Sequence, residues 1–162
     1  MSEQQAKAWE LLSAGGVSRD ADEPGAYRPL RIPAAASELV VELASVVGEA
    51  NAELVLVWDE LDQIVLGQLL AAQLGVAMAR AYDADGLIAI RDETPLGGRV
   101  LVVMDALRDV RTLAAMRGIV DQQGSILAGI GALVGTASLR EAAGDVPVYA
   151  LVDWGQATPG AG

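Results

Sequence analysis

A chain of 162 residues carries 22 Asp and Glu against 11 Lys and Arg, a formal net charge of −11 that the absence of His leaves nearly fixed around neutral pH. That field repels phosphate backbones and anionic lipid, which argues against nucleic acid and a bilayer surface as partners. With no Cys and no His, disulfides, thiolate and imidazole metal sites, cysteine nucleophiles and Ser-His-Asp triads are excluded, so any chemistry must run on carboxylates, hydroxyls, arginines or backbone amides.

Ser2 with Gln5 three residues on has the pattern of a capping box, and Trp9 and Leu12 follow at helical spacing until Gly15-Gly16 ends a short first helix. Val17 to Pro33 is polar and holds Pro24, Gly25, Pro29 and Pro33, which predicts an irregular connection wrapping the domain. Leu39, Val40, Leu43, Val46 and Val47 share one helical face and predict a second helix over Ala34 to Ala50. Leu54 to Trp58 reads as a strand, followed by a helix through Leu61, Ile64, Val65, Leu69 and Leu70 that stops at Gly75, and by a strand from Val76 to Tyr82. Asp83 to Gly86 then makes a tight turn into an antiparallel strand, Leu87 to Ile90. The grammar repeats: strand Arg99 to Val103, helix Val110 to Gln123, Gly124 as its stop, strand Ser125 to Val134, and a late strand from Val146 to Val152.

Two strand–helix–strand units and continuously apolar strands predict an α/β fold, a central mostly parallel sheet flanked by helices. Residues 1–33 are expected as an N-terminal helix and connection, 34–154 as the α/β domain and 155–162 as a flexible tail. The start MSEQQAKAWELL has no signal-peptide pattern and no apolar run reaches ~20 residues, so a soluble cytoplasmic protein is expected. Trp9 is expected to pack the first helix on the domain, Trp58 and Trp154 to cap the core, and Gly129 and Gly131 to mark a close approach of a helix.

The segment Arg99-Val-Leu-Val-Val-Met-Asp-Ala-Leu-Arg-Asp-Val-Arg-Thr112 resembles the phosphoribosyl-pyrophosphate loop of type I phosphoribosyltransferases, especially the adenine and xanthine salvage branch. Leu54 to Gly75, with Ile64-Val-Leu-Gly67, resembles that family's first strand, pyrophosphate loop and following helix, and the likeness extends over Ser37 to Trp154. The resemblance implies the family's fold, a homodimer and a site in which a glycine turn at a helix start aims backbone N–H groups and a hydroxyl at a phosphate, while strand-end acids hold the ribose hydroxyls.

Each requirement is altered in this chain. Met104 and Asp105 stand where the acid pair belongs; Arg108 precedes Asp109, which takes the place of the first Thr; Val110 and Arg111 fall on small glycine positions; Thr112 alone matches. A carboxylate at Asp109 facing a phosphate ~4 Å away costs about 4 kcal/mol at an intermediate dielectric. The pyrophosphate loop reads Asp59, Glu60, Leu61, Asp62 and Gln63, with Asp62 and Gln63 where the family commonly places an Arg or Lys followed by Gly, and two more acids just before. The flexible catalytic loop is reduced to Asp83-Ala-Asp-Gly86, with no cation and too little chain to exclude water.

The expectation is therefore a phosphoribosyltransferase-like protein that has lost phosphoribosyl-pyrophosphate binding and catalysis and acts in binding, regulation or structure. It needs no metal or other cofactor, and its expected partners are a second copy of itself or a basic protein. The alternative is an active nucleobase phosphoribosyltransferase in which Asp105 holds ribose, Arg111 and Thr112 hold the phosphate, and Mg²⁺ is required. Arg111 otherwise pairs with Asp109 or Asp105. The strand-end acids are open to two readings, ordinary helix-start carboxylates favoured by the dipole or a crevice receiving a metal, a polyamine or a basic segment.

Overall fold

A computed structural model describes residues 1–155; the tail expected over 155–162 lies, apart from Gly155, outside the described residues. Helix α1, Glu3–Ala14, starts at Ser2, whose side chain accepts from the Gln5 amide while Gln5 bonds back to the Ser2 amide, the predicted capping box. Helix α2, Pro33–Val47, runs through a 3-10 turn at Gly48–Ala50 into strand β1, Leu54–Trp58. Helix α3, Leu61–Leu74, ends at Gly75, which adopts φ 71°, a left-handed conformation that favours glycine. Strands β2, Ala77–Ala84, and β3, Leu87–Ile90, form a hairpin closed by Asp85 and Gly86 with φ 55° and 90°. The turn is shorter than the Asp83 to Gly86 that the sequence predicts, because Asp83 and Ala84 still pair in the hairpin.

Strand β4, Arg99–Met104, leads to helix α4, Val110–Gln122, strand β5, Ile126–Gly135, helix α5, Ala137–Ala143, and strand β6, Val148–Asp153. The six strands form one sheet in the order β3-β2-β1-β4-β5-β6, parallel throughout except for β3.

Strand alternation divides the core into two layers. Val55, Val57, Leu101 and Val103 meet α1, α2 and α3 on one face; Leu54, Leu56, Val100, Val102 and Met104 meet α4 and α5 on the other. Trp9, 3% exposed, fixes α1 within the first layer and packs against Trp154 with ring centroids 6.0 Å apart and the rings tilted by 53°. Trp58 packs against the second layer. Gly131 lies under α2, where a Cβ would sit 3.1 Å from Val47. At Gly129 the neighbour is instead the Tyr149 ring of strand β6, 2.6 Å from such a Cβ, so a strand side chain rather than a helix requires the glycine. Among the described residues, no helix is long and apolar enough to cross a membrane.

The strand order reverses between β1 and β4. Open α/β sheets bind ligands outside the carboxyl ends of the strands at such a switch point. This places the segments 59–63 and 104–112 side by side.

Candidate functional site

Asp105 follows β4 and is 4% exposed, the one buried charged residue among those described. Its Oδ1 accepts from Gln63 Nε2 at 2.9 Å and from the Ala106 amide at 2.8 Å. Its Oδ2 accepts from the Tyr27 amide at 3.0 Å and from Arg108 Nη2 at 2.6 Å. Two donors on each oxygen fill the four lone-pair positions of a carboxylate. Gln63 is locked in turn, because its Oε1 accepts the Asp105 amide at 3.3 Å. Arg108 further donates to the carbonyls of Pro24 and of Gly25, the latter at 3.0 Å.

Asp109 caps α4. In an extended conformation, φ −140°, its Oδ1 accepts the Arg111 amide at 2.9 Å. A helix start offers its unpaired N–H groups to an anion; here the chain's own carboxylate takes one of them. Val110 and Arg111, which replace the glycine positions, do not line the crevice. They line a groove on the far side, between α4 and α5, with Ala114, Ser138, Glu141 and Ala142. The guanidinium that reaches Asp105 is that of Arg108, and Asp109 bonds the amide of Arg111 rather than its side chain.

The acids after β1 are also engaged. Asp59 is bridged by Arg80 Nη1 at 3.3 Å and Arg91 Nε at 2.8 Å. Arg80 also pairs with Asp92 at 2.9 Å, and the Arg91 guanidinium lies 3.6 Å over the Tyr82 ring. The hydrogen bond to Asp59 holds the Arg91 guanidinium even more firmly in its charged form. Asp62 faces Arg28 at 3.9 Å. Of the five strand-end acids Asp59, Glu60, Asp62, Asp105 and Asp109, Glu60 alone has a carboxylate with no bonded partner among the described residues. No three acidic side chains among those described converge closely enough to hold a metal ion.

What is left between the two segments is a cavity of about 70 Å³, bordered by Trp58, Glu60, Gln63, Asp105, Arg108 and Thr112.

No family model matches this sequence, and no curated protein matches it. Solved structures do match. A phosphoribosyltransferase from Corynebacterium diphtheriae superposes with a TM-score of 0.71 at 20% identity, covering 94% of this chain and 96% of that one. Orotate phosphoribosyltransferase from Aeropyrum pernix gives 0.70 at 18% identity over 90% and 92% of the two chains. Adenine phosphoribosyltransferase from Thermoanaerobacter pseudethanolicus gives 0.69 at 19% identity over 90% and 99%. The fold is that of the type I phosphoribosyltransferases.

Within that fold, the structure brings together the two loops that the resemblance singles out, with Gln63 and Asp105 as the direct link. Four groups at the site escape the sequence reading: the Pro24–Tyr27 segment, Arg28, Arg80 and Arg91. Arg80 could have been found from strand register, since a parallel partner for β1 sets it opposite Val57, at the edge of the acidic loop. Tyr27 and its neighbours carry no comparable pattern, because an irregular connection has no periodicity from which its path could be deduced.

Proposed function

We propose that this chain is a phosphoribosyltransferase-fold protein that does not bind phosphoribosyl pyrophosphate and serves a binding, regulatory or structural role. The observation that carries this reading is the saturation of Asp105. A carboxylate holding ribose hydroxyls must keep oxygen lone pairs free for them; here both oxygens already accept two donors from the chain itself. The same saturation leaves no oxygen for a divalent cation, which takes carboxylate oxygens as ligands. The self-capping of α4 by Asp109 supports the reading independently, since a phosphate at that helix start would meet a carboxylate.

The solved neighbours are named as adenine and orotate phosphoribosyltransferases, so the opposing outcome is an active enzyme on a nucleobase or orotate. Calorimetric titration with phosphoribosyl pyrophosphate and Mg²⁺ separates the two. Heats equal to dilution are expected; saturable binding in the micromolar range overturns the proposal. A second copy of the chain or a basic protein is the partner this reading takes, the first through the exposed apolar side chains Val41 and Leu61 on α2 and α3.

A further inference from the structure

We infer that Asp105 and Arg108 form a peptide-backbone clamp, occupied in this chain by its own segment Pro24-Gly25-Ala26-Tyr27, which can leave the clamp while the sheet stays folded. The segment lies 78 to 84 residues away in sequence and is recognised through its main chain. Arg108 Nη1 and Nη2 donate to two successive carbonyls, those of Pro24 and Gly25, and Asp105 Oδ2 accepts the N–H of Tyr27 two residues on. Two C=O groups and one N–H within four residues each meet the complementary group, the donor and acceptor pattern of an extended peptide ligand. A planar guanidinium suits two adjacent acceptors, and its pairing with Asp105 makes both sets of bonds charge-assisted.

The clamp is held rigid from behind. Gln63 and the Ala106 amide fix Asp105 Oδ1, so the oxygen that receives Tyr27 has one orientation. The Tyr27 ring enters a slot that exists because residue 15 is glycine, where a Cβ would lie 2.0 Å from the ring. The Arg28 amide returns to the Gly15 carbonyl at 3.0 Å.

Closure is opposed by a buried donor with no acceptor among the described residues, the Tyr27 hydroxyl. A buried polar group left unbonded weighs against the state that buries it, and this one belongs to the strap. That imbalance makes the strap the unit that opens first. The inference rests on the same bonding of Asp105 as the proposed function but not on the chain's failing to bind phosphoribosyl pyrophosphate.

Hydrogen–deuterium exchange on the full chain tests the clamp. In the wild-type protein, the Tyr27 and Arg28 amides are expected to exchange by a local opening insensitive to low urea, while amides of β1 and β4 exchange only through global unfolding. Arg108→Met keeps the bulk of the side chain and removes both donors; it is expected to speed exchange at Tyr27 and Arg28 about tenfold or more and leave β1 and β4 unaltered. Unchanged exchange at Tyr27 and Arg28 in that variant overturns the clamp, because Tyr27 packing alone would then hold the strap. If the variant loses protection everywhere, the wild-type urea series decides: strap amides with the urea dependence of the sheet overturn the inference, and strap amides without it support it. Binding of phosphoribosyl pyrophosphate by the wild-type protein would refute the proposed function and leave this exchange result standing.

Discussion

Tyr27 is 2% exposed, and its hydroxyl reaches no acceptor among the described residues. Removing that oxygen should therefore stabilise the protein rather than loosen it. Tyr27→Phe keeps the ring in the Gly15 slot and the backbone bond to Asp105, and deletes only the unbonded group; a gain of about 1 kcal/mol is expected, or ~2–4 °C in Tm for a chain of this size. The same variant has a pH signature. Burial pushes the Tyr27 hydroxyl above its ordinary value of 10.0, so the unfolded chain loses that proton first. The stability tied to the neutral hydroxyl is fully present below that value and is lost as pH rises through the higher folded value. Thermal melts across the alkaline range should show the wild type losing stability more steeply than Tyr27→Phe above pH ~10; parallel curves would mean that the hydroxyl is solvated or bonded in solution.

At the scale of elements, the tightest junction is α3 on β1. Gly67 faces Val57, and a Cβ there would stand 2.5 Å from Val57 Cγ1 and 3.0 Å from Met78 Sδ. Alanine in a helix interior gains up to about 1 kcal/mol over glycine, whereas forcing a methyl into a packed core costs about 1–3 kcal/mol. Val57 is branched, fully buried and on a central strand, so it has nowhere to move and the clash wins. Gly67→Ala should lower the unfolding free energy by about 1 kcal/mol or more in urea titration; a variant as stable as wild type would show that helix and strand can separate at low cost. The helix is legible in the sequence through Leu61, Ile64, Val65, Leu69 and Leu70 and the strands as apolar runs, but the approach of Gly67 to Val57 is not, because it depends on how α3 is set on the sheet. Helix α5 is not legible either: seven residues are too few to show a period, and its signals are a Thr136 cap bonding the Leu139 amide and a stop at Gly144. The candidate site divided in the same way. Its loop positions follow from order along the chain, but its charge balance does not. Between Arg31 and Arg80 the sequence holds seven acids and no cation, and the crevice looked uncompensated. Sheet pairing and the irregular connection then deliver Arg80, Arg91 and Arg28 to Asp59 and Asp62 from outside the window.

Across the whole molecule, the arginines so placed neutralise particular acids but leave the total at −11. A folded chain of this length has a radius of gyration of about 15 Å. The Debye length is ~30 Å at 0.01 M salt and ~8 Å at 0.15 M, so at low salt every surplus carboxylate feels every other, and at 0.15 M it feels only near neighbours. The attractive pairs respond differently because they are short. Arg140 and Asp153 stand 2.6 Å apart and Arg91 and Asp59 2.8 Å apart, well inside the screening length under either condition. Salt thus removes long-range repulsion before it weakens the pairs, and repulsion is what compaction of an acidic chain works against. The melting temperature should rise by a few degrees between 0.01 and 0.15 M NaCl, with most of the gain at the low end. A fall over the same interval would mean that ion pairs such as Asp59 with Arg80 and Arg91, rather than the excess of acids, dominate the electrostatics of the fold.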